Sequence, residues 1–250
     1  MEDRDNGVRV LTLSNPARRN ALDASQVDRL NEALLSAPGT VRALLLRGEG
    51  GTFCSGYDLN VLGPPTEGRL PDDTLMECLA RLESLPLPTV ALVQGWAFGA
   101  GFDLAAACDF RVGAEDAVFC MPPARLGIIY ASDGLERVTR LVGVARAKNL
   151  FLTSRRLDAK EALAWGLLDE SLPVARAEER ALELCQTLAA QAPLSVAGMK
   201  ESLRLLTSPR PSPEAHARMR ELRARAFTSE DAKEGRAAFL EKRAPRFRGQ

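Results

Sequence analysis

The sequence predicts an α/β fold. Strand-turn-helix units recur through its first half, the chain after Gly134 looks entirely helical, and 46% of its 250 residues are hydrophobic, enough for a sizeable core. The length fits one α/β domain, or one domain with a small appendage.

Val8 to Leu13 reads as a strand, and the apolar run Val41 to Arg47 as a buried one. Between them, Asp23 and Gln26 have the spacing of a capping box, which opens a helix through about Ala37. A further strand covers Thr89 to Gln94. Gly99 to Ala107 is small and apolar throughout and reads as a buried helix; Asp109 to Gly113 and Ala117 to Met121 read as short strands. Gly63 to Asp73 is rich in Pro, Gly and charge, the composition of a lid or a disordered loop. Ser208 to Pro213 carries three prolines and separates the last helices from the rest. The expected organisation is a core over residues 1–197 and a helical C-terminal region over 198–250, with no independent second domain.

Composition excludes several classes of function. Lys plus Arg number 33 and Asp plus Glu 33, so nothing in the charge asks for nucleic acid or an anionic membrane as partner. The Arg-rich stretch Arg218 to Arg248 has acidic residues interleaved, the pattern of a solvated helix face. Cys54, Cys78, Cys108, Cys120 and Cys185 form an odd, scattered set and read as free thiols in a reducing compartment. The single histidine, His216, excludes a His-rich metal site, and its charged helical surroundings read as surface. The N-terminus lacks an apolar signal core and no apolar run is long enough to span a bilayer, so a cytoplasmic protein is expected.

Two segments carry the chemistry. Gly50-Gly51-Thr52-Phe53-Cys54-Ser55-Gly56-Tyr57-Asp58-Leu59 follows the buried strand directly. Gln94-Gly95-Trp96-Ala97-Phe98-Gly99-Ala100-Gly101-Phe102-Asp103-Leu104 lies between the next strand and a helix. Small residues let a ligand approach the main chain, and a helix N-terminus offers N–H donors to a negative oxygen. Either turn alone is equally well read as tight strand-to-helix packing.

Taken together and in this order, the two segments resemble the signature regions of the crotonase (enoyl-CoA hydratase/isomerase) superfamily. The first is similar to its F-C/S-A/S-G-x-D-L turn and the second to its G-x-A-x-G-G-G-x-E-L turn. Asn15-Pro16-Ala17-Arg18-Arg19-Asn20-Ala21-Leu22 resembles the family's opening, and Cys108-Asp109-Phe110-Arg111 its C-D-x-R/I strand start. Leu157 to Ala162 with Gly166-Leu167, and Glu230 to Gly235 with Ala238 to Arg243, resemble its later helices. The likeness covers nearly the whole chain. It implies a crotonase-like spiral of ββα units with a helical C-terminal trimerisation region, and homotrimers that often stack into hexamers. It also implies an acyl-CoA substrate, with coenzyme A as part of that substrate and no metal or redox cofactor. The main-chain N–H groups of Tyr57 and Ala100 would form an oxyanion hole for the thioester oxygen, where losing one donor typically costs about 3–4 kcal/mol of barrier.

The sequence departs from the hydratase pattern in its acid/base groups. Asp103 stands at the first catalytic glutamate's position with a reach about 1 Å shorter. At the second, the family's Q-P-E becomes Met121-Pro122-Pro123, and Pro123 cannot carry a proton. Three readings follow: atypical hydration or isomerisation, decarboxylation of a malonyl-type thioester, or acyl-CoA binding without chemistry. Tyr130, in Leu126-Gly127-Ile128-Ile129-Tyr130, resembles a functional tyrosine of some superfamily decarboxylases, and reads equally as a buried aromatic. Asp133 is a third catalytic candidate, but with Glu136 it also has the spacing of a capping box. Asp103 in turn reads as a carboxylate favoured by a helix dipole. Trp96 and Phe98 read as packing, and Cys54 and Cys120 as small core residues.

The resemblance also implies a CoA-binding surface. It comprises Ala17 and Arg18 from the opening, Ser55, Gly56, Asp58 and Leu59 from the first turn, and Gly99 from the second. Phe239 and Lys242 match positions that meet the nucleotide, in some members from a neighbouring subunit's C-terminal helix.

Overall fold

The computed structural model describes residues 1–37, 39–207, 217, 220–221, 224, 227–243 and 245. The Pro-rich segment Ser208 to Pro213 and His216 lie outside the described residues.

In chain order the elements are β1 (Glu2–Asp3), β2 (Val8–Leu13), α1 (Ala24–Leu35), β3 (Ala43–Gly48), α2 (Asp73–Ser84), β4 (Thr89–Val93), β5 (Trp96–Phe98) and α3 (Ala100–Ala106). There follow β6 (Phe110–Ala114), β7 (Val118–Cys120), a 3-10 turn (Pro123–Leu126), α4 (Ser132–Val142), α5 (Val144–Thr153), β8 (Arg156–Asp158) and α6 (Ala159–Ala164). The chain continues through β9 (Glu170–Leu172), α7 (Val174–Ala189), α8 (Pro193–Thr207) and α9 (Glu230–Leu240).

A six-stranded sheet has the order β1-β2-β3-β4-β6-β9, parallel except for the β1–β2 pair. A three-stranded sheet, β5-β7-β8, stands beside it. Successive strands alternate between the sheets: β4 lies in the large one and β5 in the small one before α3, and β6 and β7 repeat the step. This is the ββα spiral. Both faces of the large sheet are covered, so β3 reads as an uninterrupted apolar run whose side chains divide by parity. Leu44 and Leu46 pack with Leu30 of α1 and Leu79 of α2, whereas Ala43 and Leu45 pack with Ala177 and Ala181 of α7.

The expected elements of the first half are present with shifts of one or two residues at their ends. Asp23 caps α1 as its spacing predicts, accepting from the Gln26 N–H at 2.9 Å. Three expectations are corrected. The chain after Gly134 is not entirely helical: β8 pairs with β7 and β9 with β6, and at three residues each they are too short for a periodic signal. The segment Gly63 to Asp73 is folded, with Thr66 and Arg69 exchanging main-chain hydrogen bonds and Leu70 buried against Leu62 and Phe227. It leads into α2, whose helical period the sequence reading passed over. Finally, α8 runs across position 197, so the boundary drawn there falls inside a helix. Among the described residues no helix is long and apolar enough to cross a membrane.

Candidate active site

The two glycine-containing turns are joined to each other by main-chain hydrogen bonds. Cys54 N–H donates to Trp96 O at 2.8 Å and Phe98 N–H donates to Cys54 O at 3.0 Å. Glycine is required where they touch. A Cβ on Gly101 would lie 2.3 Å from Cys54 O, and one on Gly56 2.9 Å from Phe98 O and 3.8 Å from Ala100 N. Gly56 also has a φ of 106°, and Gly99, just before α3, a φ of 50°. Residues adjoining Tyr57 and Ala100 are thereby brought face to face. Among the described residues, neither the Tyr57 N–H nor the Ala100 N–H has an acceptor. Ala100 is the first residue of α3, where the helix itself supplies none.

The opening segment clamps the first turn from the other side. Asn20 is buried with φ of 56°, and its amide donates to Glu49 O at 2.9 Å and Thr52 O at 2.6 Å. Ser55 N–H and Oγ reach Arg19 O and Arg18 O, each at 3.0 Å, and Arg18 ion-pairs with Asp58. Asp58 is further held by Asn60, and its carboxyl lies below the usual range: burial pushes it up, but the Asn60 and Arg18 bonds outweigh that.

These turns open onto a cavity of about 1040 Å³. Its wall includes Tyr57, Ala100 and Tyr130, together with Ala17, Arg18, Ser55, Gly56, Asp58, Leu59 and Gly99. Pro123 stands in the same wall. Phe239 and Lys242 are there too, supplied by α9 of the same chain and the turn after it. Two glycines let that helix lie close. A Cβ on Gly127 would meet Asp231 O at 2.4 Å, and one on Gly235 would meet Leu126 O at 2.5 Å.

Asp103 and Asp133 are not brought to the cavity wall. Asp133 is exposed in the first turn of α4; the residue preceding that helix is Ala131, and no side chain caps it, so Asp133 is not the helix cap its spacing suggests. Asp103 is 0% exposed and sits behind Tyr130. The Tyr130 hydroxyl donates to its Oδ2 at 3.1 Å, and the Arg137 guanidinium to its Oδ1 at 2.5 Å. Burial pushes the Asp103 carboxyl above its ordinary range, and Arg137 and Tyr130 act in the opposite direction. The Tyr130 hydroxyl is held well above its ordinary value by burial and by the charges of Asp103 and Asp72. Arg137 loses by burial but gains more from Asp103 and Glu83, so it stays charged. A Cβ on Gly134 would lie 2.3 Å from Tyr130 Cε1 and 2.7 Å from Asp103 Oδ2, so α4 leaves this slot open only with glycine.

Three features escaped the sequence reading. Asp72 lies in the cavity wall, and its charge raises both the Tyr57 and Tyr130 hydroxyls. It was hidden in a stretch read as a lid. Trp96 and Phe98, read as packing, also line the cavity; their rings stack at 4.8 Å, with the Arg19 guanidinium 4.1 Å from the Trp96 centroid. Nothing in the local sequence separates Arg137 from the chain's other arginines. The five cysteines are unpaired and buried. Burial pushes the thiols of Cys54 and Cys108 up to about 12, which removes them as nucleophiles at neutral pH.

The description "Enoyl-CoA hydratase/isomerase" belongs to a family model that matches residues 3–250. The chain belongs to the enoyl-CoA hydratase/isomerase family. It is an enzyme of the hydratase/isomerase type. The carnitinyl-CoA dehydratase of Salmonella typhi is 38% identical over 251 residues, covering 96% of this chain and 94% of the relative. A solved methylmalonyl-CoA decarboxylase, in complex with 2-nitronate-propionyl-CoA, superposes with a TM-score of 0.91 at 31% identity, covering 99% of this chain and 97% of that one. An enoyl-CoA hydratase/isomerase from Pseudoalteromonas atlantica T6c gives a TM-score of 0.84 at 31% identity, with 98% and 97% covered. The crotonase spiral expected from the sequence is therefore the family fold, and α9 completes the wall of a cavity that the two turns begin.

Proposed function

We propose that this enzyme binds an acyl-CoA thioester along the cavity and carries it through an enolate whose oxygen is held by the Tyr57 and Ala100 N–H groups. One observation carries the reading: two main-chain donors without acceptors among the described residues adjoin residues packed against each other, at the wall of a cavity large enough for the acyl end of the substrate. Donors fixed before the reaction stabilise developing charge without reorganisation, at about 3–4 kcal/mol each. Coenzyme A enters as part of the substrate, and the enolate needs no further cofactor. Ala17, Arg18, Ser55, Gly56, Asp58 and Leu59 would hold its nucleotide end, with Phe239 and Lys242 opposite.

The reaction is hydration or dehydration, or migration of a double bond. The dehydratase relative supports loss of water from an acyl-CoA. With Pro123 in place of a carboxylate, the proton passes through Tyr130. Its oxygen takes a proton from substrate or water as its own proton moves to Asp103 Oδ2, and the reverse shift returns it. Tyr130 acts on the reacting atoms and Asp103 acts through it.

A second reading, decarboxylation, is favoured by Pro123 and by the methylmalonyl-CoA decarboxylase likeness. Breaking the bond to a departing carboxylate leaves its electron pair in the enolate, so no base is needed to form it. Tyr130 then supplies the proton to the α-carbon.

The five unpaired thiols support a reducing compartment, the cytoplasm. Leu194 and Met199 of α8, 89% and 59% exposed, support assembly into trimers or hexamers through residues 198–250 and the start of that helix. Light scattering on the purified protein checks the assembly. Incubation with crotonyl-CoA, a 3-enoyl-CoA, carnitinyl-CoA and methylmalonyl-CoA tests the chemistry. Turnover of any of the first three, lost in Tyr130→Phe, fits the main reading; CO₂ release from the fourth fits the second. Tight binding of all four with no turnover would remove the enzymatic proposal for these substrates.

A further inference from the structure

We infer that Arg137 is a positioning residue that holds Asp103 ionised behind Tyr130, and that Glu83 moderates this hold from outside the cavity. The inference rests on the reading of Tyr130 and Asp103 as the proton-transfer pair.

Gly134 and Arg137 are three residues apart on α4 and share one face of it. Gly134 leaves the slot into which the Tyr130 ring and the Asp103 carboxylate fit, and Arg137 supplies the charge at its end. The arginine side chain is 2% exposed. Its Nη1 donates to Asp103 Oδ1 at 2.5 Å, and its Nη2 to Glu83 Oε2 at 2.9 Å. Glu83 also accepts from Arg140 Nη2 at 2.9 Å. The Arg137 Nε is buried and has no partner among the described residues, so the guanidinium is committed to these two carboxylates.

Two guanidinium groups and two carboxylates balance in charge, and they form a line. Tyr130 is in the wall of the first cavity and Asp103 is in the interior. Arg137, Glu83 and Arg140 border a second cavity of about 690 Å³, lined also by α8. A buried carboxylate without a cation takes up a proton in preference to remaining charged. A protonated Asp103 cannot receive the Tyr130 proton. Arg137 is thus what keeps Asp103 able to accept. Glu83 shares Arg137 with it and weakens the hold. The charged and titratable groups facing the pair are Arg137 from α4, Glu83 from α2, Asp72 just before α2, and Tyr130 and Asp103 themselves.

The test reads the ionisation of Asp103 directly. Infrared difference spectra against Asp103→Asn isolate its protonated-carboxyl band as pH is varied. Arg137→Met is expected to raise the protonation midpoint by about one to three units. Arg137→Lys, which keeps the charge, is expected to hold the midpoint near the parent's. Glu83→Gln, at a residue 25% exposed and outside the active-site cavity, is expected to lower the midpoint. Should Arg137→Met fail to fold, Glu83→Gln still decides, because it leaves the buried arginine in place. A midpoint that does not fall in Glu83→Gln, or that does not rise in a folded Arg137→Met, overturns the inference. Turnover that survives Tyr130→Phe overturns the proton-pair reading instead, and the spectra then report whether Arg137 still governs Asp103.

Discussion

The Tyr130 hydroxyl donates to Asp103 Oδ2 at 3.1 Å, and the ring of Tyr130 stands between that carboxylate and the cavity. Asp103 is therefore one step removed from the cavity. Tyr130→Phe is expected to lower kcat by about 10²- to 10⁴-fold, the usual cost of a lost acid or base, with KM little changed. Asp103→Asn should fall in the same range, because it removes the acceptor of the Tyr130 proton. Steady-state kinetics on the substrate that turns over best would settle both. A full-rate Tyr130→Phe enzyme would show that the proton travels by another route.

Asp72 is the competing carboxylate in the cavity wall. If Tyr130 and Asp103 carry the proton, Asp72→Asn should change kcat by less than about tenfold, well short of a lost acid or base. It should also lower the Tyr57 and Tyr130 hydroxyl pKa values, because Asp72 raises both. Ultraviolet titration of the tyrosines against the parent protein measures the second effect.

Gly56 couples the two turns. Its φ of 106° is costly for any side chain, and a methyl there would press on Phe98 O at 2.9 Å. Gly56→Ala should displace the Tyr57 N–H from Ala100 and reduce kcat by about 10²- to 10³-fold, the cost of one oxyanion donor. A circular dichroism spectrum like that of the parent would separate this from unfolding.

Gly134→Ala would put a methyl 2.3 Å from Tyr130 Cε1 and 2.7 Å from Asp103 Oδ2. Overpacking of this kind costs about 1–3 kcal/mol, so the urea midpoint should fall. Turnover should fall with it, since the contact is with the proton-transfer pair. An unchanged midpoint would mean that Tyr130 swings clear at little cost.

Asp23 gives a pH-dependent prediction. Its carboxylate accepts from Gln26 N–H at 2.9 Å and Ser25 Oγ at 2.8 Å, and these bonds lower its pKa. A depressed folded pKa contributes stability above the unfolded value of about 3.9 and loses it as pH falls through the folded value. Asp23→Ala should thus cost about 0.5–2 kcal/mol at neutral pH. The difference from the parent should shrink steadily below about pH 4. Denaturant melts across that range provide the measurement.

Much of this protein was legible before any coordinates. The apolar run that became β3 announces a strand buried on both faces, and Asp23 with Gln26 announces the start of α1, because both depend on residues close in sequence. Tyr57, Ala100 and the residues that the family motifs point to for CoA line one cavity. The main-chain roles proposed for Tyr57 and Ala100 depend on turns that glycine dictates locally. Strands β8 and β9 were illegible, since three residues carry no period and their pairing partners lie tens of residues away.

The spiral, the two turns and the proline at position 123 in place of a carboxylate could be read from residue chemistry and motif order alone. The surroundings of Asp103, by contrast, come from packing between distant segments. Its burial, its ion pair with Arg137 and its place behind Tyr130 are made by α2, α3 and α4 meeting in space. A side chain's proton affinity follows from those neighbours, which sequence spacing does not specify.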